Sequence, residues 1–235
     1  DPDTLVAMAA IQYHRGPDGF GWQAMDGVGF SHARLSIIDL DQDRGRQPFV
    51  SADKRLMMTK NGELYDYQRI RATLSAEGAR FLTKSDSEIV MHLYPRLGLD
   101  GTLPHLRGEF AFALFDRDED TVHLVRDRFG IKPLYWTEID GGLVFGSELK
   151  TLMAHPRVGR SVEPRALECY LALGYVPNAG LPTLRERLAG TVHALEALSP
   201  LGTLARGYAI VRRLPDGLLV RLARLARRLA IPAPF

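Results

Sequence analysis

The sequence predicts an α+β fold in which two antiparallel sheets pack face to face between outer helices. Three observations carry this. The stretch Glu109–Phe115 reads Glu-Phe-Ala-Phe-Ala-Leu-Phe, apolar on both faces, as a strand does when both of its sides are covered. A charged turn over Asp116–Asp120 and a second run, Thr121–Arg126, fold it back as a hairpin. Segments with apolar residues at helical spacing, Ile70 with Leu74 and Ile89 with Leu93 and Leu97, supply amphipathic helices to cover the sheets. The chain has no βαβ alternation, no Gly-x-Gly-x-x-Gly and no Walker loop, so a nucleotide site is unsupported.

The remaining elements follow in order. Leu5, Met8, Ala9 and Gln12 give the segment from Asp3 to Tyr13 a helical period, which stops at His14-Arg15-Gly16-Pro17-Asp18-Gly19 because Gly, Pro and Asp make a rigid loop. Gly29–Asp39 is a strand with an unexpected interior charge, Arg34, either a salt-bridged structural arginine or a clamp for a ligand carboxylate. Leu56-Met57-Met58 is a strand that ends in an Asn61-Gly62 turn feeding the helix of Ile70 and Leu74. Ser85-Asp86-Ser87-Glu88 has the pattern of a capping box with Ser85 as N-cap, and Gly98 supplies the stop. Asp127–Trp136 is a polar loop running into a strand, Gly141-Gly142 turns into Leu143-Val144-Phe145, and Ser147-Glu148 opens a short helix over Leu149 and Leu152. Another helical pattern runs from Pro164 to Leu173.

Beyond Pro177-Asn178-Ala179-Gly180, which has linker composition, the texture changes. Leu184, Leu188, Leu195 and Leu198 suggest a helix, Gly207–Val211 a short strand, and Leu218–Ala230 a basic amphipathic helix. Seven arginines and one acid, Asp216, lie between Arg206 and the end. The expected organisation is a domain over 1–178 and an unrelated helical tail over 179–235.

Bulk properties narrow the functional classes. The 235 residues are 46% hydrophobic and 25% charged, which suits a globular domain with a substantial core. A net charge of +2 is too small to argue for nucleic acid as a partner of the whole chain. The single cysteine, Cys169, excludes an internal disulfide and any Cys-rich metal site, and the seven histidines have no ligand spacing. No apolar run approaches the roughly 20 residues that span a bilayer, and Asp1-Pro2-Asp3 does not open a secretory signal. A cytoplasmic protein without membrane contact is the expectation.

The stretch that concentrates chemistry is Lys60-Asn61-Gly62-Glu63-Leu64-Tyr65. Gly62 leaves its N–H uncovered by any Cβ, Asn61 adds an amide donor, and Glu63 adds a carboxylate. Donors beside an acid suit a zwitterionic amide, the donors facing a developing oxyanion and the acid an ammonium. An ordinary Asn-Gly turn is the plain alternative. Asp86, in the first turn of a helix, is either a second acid for the same ligand or simple helix-end electrostatics.

Six stretches in sequence point to a family. His14-Arg15-Gly16-Pro17-Asp18, Arg34–Asp39, Gln47-Pro48, Asn61–Tyr65, Ser85–Glu88 and Asp127–Tyr135 together resemble the glutaminase domain of glutamine-hydrolysing asparagine synthetases, over roughly residues 3 to 178. That domain is a class II glutamine amidotransferase of the N-terminal-nucleophile hydrolase type. The resemblance implies a four-layer αββα sandwich with its first strand missing here. It implies that Arg34 binds the α-carboxylate of L-glutamine, with the backbone around Ile37 and Ile38 as the adjoining wall. Glu63 and Asp86 would hold the α-ammonium, and Asn61 with the Gly62 N–H would form the oxyanion hole. The family's nucleophile is a cysteine at the mature N-terminus, whereas this sequence starts at Asp1, and Cys169 has neither the position nor a free amine.

The synthetase half, with its Ser-Gly-Gly-x-Asp-Ser pyrophosphate loop, does not occur here, so no cofactor is expected in this chain and ATP and magnesium belong to that half. The implied partners are L-glutamine and a synthetase domain or subunit. Leu198–Leu201 and Leu204–Ile210 are similar to the C-terminal end of the exonuclease VII large subunit, so the rival reading is a non-catalytic binding or assembly fragment associated with that enzyme through its tail.

Overall fold

A computed structural model describes residues 1–36, 38 and 45–176, and the backbone of 212–213 and 219–221. Its contacts divide the chain into one unit of 1–158 with 207–235 and a second of 159–206.

The first unit is built on the doubly covered strand the sequence announces. Strand β5 (Arg107–Asp116) pairs antiparallel with β4 (Leu56–Tyr65) on one side and with β6 (Thr121–Arg126) on the other. The two-residue β3 (Phe49–Val50) extends this sheet beyond β4. At the opposite edge, β10 (Leu219–Arg221) runs parallel to β6 and pairs with β9 (Arg212–Arg213). A basic helix over 218–230 is therefore not what its first residues form. The segment Leu219-Val220-Arg221 suits a strand as well as a helix, and the ladders with β6 and β9 decide between them. The helix expected around Leu184–Leu198, the strand at Gly207–Val211 and the stretch resembling exonuclease VII lie outside the described residues.

Alternation along β4 and β5 feeds two cores. Leu56, Met58, Leu64, Phe110, Phe112 and Leu114 face one way and pack on α2 (Tyr67–Ala76) and α3 (Glu88–Thr102) through Ile70, Leu74, Ile89 and Leu93. Met57, Ala113 and Phe115, with Val122 and Leu124 of β6, face the other way. They pack on two separate hairpins, β1–β2 (Gly19–Met25 with Val28–Arg34) and β7–β8 (Tyr135–Ile139 with Gly142–Gly146). Phe30 and Phe145 touch edge to face between the hairpins, with ring centroids 5.3 Å apart. A third cluster, Met8, Val144 and Leu152, sets α1 (Pro2–Ala10) and α4 (Leu149–Met153) over the hairpins. The order is helices, sheet, hairpins, helices: an α+β sandwich of four layers.

Two local expectations are corrected. Asn61-Gly62 is not a turn, because β4 continues through both residues to Tyr65 and the chain turns at Asp66, with φ 57°. Nor do residues 85–88 form a capping box, since α3 begins at Glu88 with Ser87 as N-cap and no capping side-chain bond. Glu88 instead reaches back to the loop before the helix. Its carboxylate accepts from the Leu82 N–H (2.8 Å), the Thr83 N–H (2.9 Å) and the Thr83 hydroxyl (2.8 Å). Gly98 does break the helix, at φ 64°, before a last turn to Thr102.

Burial by itself would raise the Glu88 pKa, but the hydrogen bonds from His92, Leu82 and Thr83 outweigh it and hold the carboxyl down to about 2. A depressed acid stabilises the fold fully above its ordinary pKa of 4.5, and that contribution is lost as pH falls toward about 2. It amounts to on the order of 3 kcal/mol. Urea denaturation between pH 6 and 2 is expected to show a Glu88→Gln variant with a correspondingly flatter pH dependence. Parallel curves for variant and parent would remove Glu88 from the account.

The second unit, among its described residues, is the helix α5 (Pro164–Leu173), capped by the Glu163 carboxylate, which accepts from the Ala166 N–H at 2.6 Å, and closed by Gly174. Cys169 lies half-buried on it as a free thiol.

Candidate functional site

Among the strands of the described residues, β2 pairs with β1 alone, apart from a single bridge of Arg34 to Pro17, and β8 with β7 alone, so each hairpin keeps an open edge. Both edges line one cavity of about 980 Å³ in the first unit. The same cavity is lined by Arg34, Ile38, Asn61, Gly62, Glu63 and Asp86, six of the seven positions that the sequence singles out. Ile37 lies outside the described residues.

Each of these side chains is placed by a local device. Arg34 closes β2, and its carbonyl accepts from the Asp18 N–H at 3.0 Å, while the Asp18 carboxylate accepts from the Ser36 N–H at 2.7 Å. The loop His14–Asp18 is therefore a brace for the end of β2. Gly62, at φ 104°, sits where a Cβ would lie 2.0 Å from the Glu109 carbonyl oxygen, so only glycine permits this approach of β4 to β5. Beside it, the side-chain nitrogen of Asn61 is buried and makes no hydrogen bond. A buried amide donor without an acceptor is costly, and such groups in native structures call for a ligand or a water to satisfy them.

Several residues to which the motifs assign no role complete the site. Lys60 extends to the helix-facing side of β4, with a side chain of 0% relative exposure. Its ammonium donates to the Asp86 carboxylate at 2.8 Å and to the Gly62 carbonyl at 2.7 Å. The same Asp86 oxygen accepts the Leu64 N–H at 2.6 Å. Burial pulls the Lys60 pKa down, against the charges of Asp86 and Glu63. The signal in the sequence is a lysine in the otherwise uncharged run Leu56–Gly62.

Gln47 lies opposite Lys60 and brackets its peptide, the Lys60 N–H donating to Oε1 at 2.6 Å and Nε2 donating to the Lys60 carbonyl at 3.2 Å. His32 has Nδ1 3.0 Å from the Thr59 hydroxyl. Its pKa is lowered to about 4, first by burial and then by the charges of Arg34 and Lys60, so it is a neutral imidazole at pH 7. Lys132 pairs with Glu109 at 3.2 Å over Gly62. It is held there by Asp127, whose carboxylate accepts from the N–H groups of Phe129, Ile131 and Lys132. No group of His, Cys, Asp and Glu among the described residues could hold a metal ion, and none of their helices is long and apolar enough to cross a membrane.

Layering of this kind defines the class. The glutamine phosphoribosylpyrophosphate amidotransferase from Bacillus subtilis, solved with ADP and GMP, shares the fold with a TM-score of 0.54 at 24% identity, over 65% of this chain and 40% of that one. A second solved structure, described as the allosteric regulatory enzyme of purine biosynthesis, gives 0.56 at 21% identity, over 64% and 40%. Both likenesses are of fold, and they match the layered architecture described above. Residues 1–197 match the family of the glutamine amidotransferase domain, and the chain belongs to that family.

Among curated relatives, glutamine-hydrolysing asparagine synthetase 2 of Bacillus subtilis is 42% identical over 156 residues, covering 66% of this chain and 20% of that protein. Amidase chyE of Penicillium rubens is 45% identical over 152 residues, covering 65% and 22%. The chain spans about a fifth of the length of these two relatives.

Proposed function

We propose that the cavity binds L-glutamine and that the chain is the glutaminase part of an asparagine synthetase-like amidotransferase. The observation that carries this reading is the buried, unsatisfied Asn61 amide beside Gly62, in a cavity that also holds Arg34 and two acids. An amide oxygen turning into an oxyanion would give Asn61 the acceptor it lacks, and that gain is largest in the transition state. The planar guanidinium of Arg34 suits the α-carboxylate.

In the resembled family a cysteine thiolate attacks the side-chain amide, gives a glutamyl thioester and releases ammonia, and water then frees glutamate. The ammonia would travel to an acyl-adenylate of aspartate on a synthetase domain. Cys169, the one thiol of the sequence, is internal to the chain and so has no α-amino group to serve as its base. The 235-residue chain is therefore expected to hydrolyse glutamine at background rate, with Cys169→Ala changing nothing.

Binding tests the reading without the nucleophile. In titration calorimetry, L-glutamine is expected to bind at millimolar affinity, and Arg34→Ala to weaken it at least tenfold, since a charge-assisted bond contributes about 1.5–3 kcal/mol. Heats that are indifferent to Arg34→Ala would overturn the site.

A further inference from the structure

The loop that leads into α3 is gripped from two sides by opposite charges. From α2, the half-buried Arg71 donates through Nη1 to the Thr83 carbonyl and through Nη2 to the Ser85 carbonyl, both at 2.7 Å. Its guanidinium lies over the Phe81 ring, 4.2 Å from the centroid. From α3, the Glu88 carboxylate takes the N–H groups of Leu82 and Thr83 and the Thr83 hydroxyl. The loop held in this way carries Asp86, which lines the cavity with Arg34, Asn61 and Glu63. Resting on the glutamine reading above, we propose that Arg71 is a positioning residue for this cavity: its two-pronged grip on the Thr83 and Ser85 carbonyls aims the Asp86 carboxylate at the α-ammonium of the ligand.

The two oxygens of Asp86 are used unequally. Oδ2 accepts from the Lys60 ammonium at 2.8 Å and from the Leu64 N–H at 2.6 Å. Oδ1 meets the Ser87 hydroxyl at 3.5 Å, the outer limit of a hydrogen bond, which leaves it for a ligand ammonium. Two bonds on one oxygen make that oxygen a pivot; where the other one points is set by the backbone that carries the residue. Arg71 pins this backbone at alternate residues, its planar fork matched to two carbonyls at once. The Ser85 N–H donates to the Thr83 hydroxyl at 3.1 Å and the Ser87 N–H to the Ser85 hydroxyl at 3.2 Å, so a shift at Thr83 is passed along to Asp86. Charge-assisted hydrogen bonds weaken steeply with misplacement, and the ammonium contact is therefore the first to suffer when the loop loosens. The other ligand groups meet residues placed by different elements, Arg34 at the end of β2 and Asn61 in the ladder of β4 with β5. Arg71 is not among the residues that line the cavity, so it acts through the loop and not on the ligand.

Calorimetric titration of the full chain with L-glutamine and with glutaramate, the monoamide of glutaric acid that lacks the α-ammonium, tests this. The wild-type protein is expected to prefer L-glutamine by at least about tenfold, the effect of one charge-assisted bond. Arg71→Ala is expected to bring the two ligands within about threefold of each other, by weakening L-glutamine while glutaramate stays within about twofold of its wild-type affinity. Arg71→Lys, which keeps the charge but has one nitrogen in place of the fork, is expected to fall between the two. An Arg71→Ala chain that is folded by circular dichroism and keeps the wild-type preference overturns the proposal. So does one that weakens both ligands equally, which is the mark of a merely structural arginine. Where Arg71→Ala does not fold, Arg71→Lys decides, and a preference unchanged from wild type overturns the proposal. A wild-type chain with no preference for L-glutamine overturns it as well, by removing the amine contact at Asp86. Failure of the wild-type chain to bind either compound overturns the glutamine reading itself. Binding that ignores Arg34→Ala does the same, and both differ from the results that remove only Arg71.

Discussion

Gly62→Ala is expected to be among the most damaging single substitutions in the chain, lowering the melting temperature by roughly 10 °C. Two costs add. The residue holds φ 104°, a conformation that strains any L side chain by about 1–3 kcal/mol. The new Cβ would also lie 2.0 Å from the Glu109 carbonyl oxygen, a backbone atom of the central strand that cannot swing aside. Relieving the overlap means prying β4 from β5 at the site, which puts the total at about 4 kcal/mol. Gly78→Ala is the matched control: φ is 92°, but nothing lies within 4 Å of the added atom. It is expected to cost about 1 kcal/mol. Similar losses in the two variants, measured by thermal or urea unfolding, would show that strain alone is at work and that the close approach to Glu109 is unimportant.

The second large effect lies at the other end of the central strand. The Asp116 side chain is 0% exposed and accepts both arms of Arg55, at 3.0 and 2.7 Å, as well as the Tyr94 hydroxyl at 3.0 Å. Tyr94 in turn meets His123 Nε2 at 2.9 Å. Burial pushes the Asp116 pKa up, but the hydrogen bonds and charge of Arg55 and the Tyr94 hydroxyl prevail and hold it below the ordinary carboxylate value. Its contribution is therefore present above the unfolded pKa and is lost as pH falls through the folded one. Asp116→Ala strips the guanidinium and the tyrosine of their partner together and is expected to cost about 3–5 kcal/mol at pH 7. Replacing Arg55 by Met and Asp116 by Leu at once should recover much of that loss, since an apolar pair of similar size needs no partner. A double variant no more stable than Asp116→Ala would show that the pair contributes more than mutual neutralisation.

What was legible in the sequence tracks how local the cause is. The doubly buried β5, the hairpin to β6 and the helices on Ile70 and Ile89 follow from periodicity, and the structure has them all. Arg34, Asn61, Gly62, Glu63 and Asp86 could be named from their motifs, and they do share one cavity. Asn61-Gly62 reads as a turn because that dipeptide usually makes one. Here the ladder with Ala111 and Phe110 keeps the strand extended and postpones the turn to Asp66. Glu88 sits at the right offset for a capping box, yet finds stronger donors in the preceding loop. Lys60 was illegible for a different reason: whether an interior lysine is an error, a snorkelling surface residue or an ion pair depends on what the fold brings to it. Asp86 comes from 26 residues away.

Gln47 has a consequence for what kind of edge β4 presents. The register of β3 on β4, Phe49 with Met58 and Val50 with Met57, would bring Pro48 opposite Thr59 and Gln47 opposite Lys60. Proline has no N–H to give to a ladder, so the main chain stops pairing there. The Gln47 side chain then takes over, and because a carboxamide has the donor and acceptor of a peptide group, it satisfies Lys60 as a neighbouring strand would. One side chain thus acts as a single-residue extension of the sheet, sealing beside the cavity an edge that could otherwise recruit a foreign strand. It adds no backbone that would crowd the ligand.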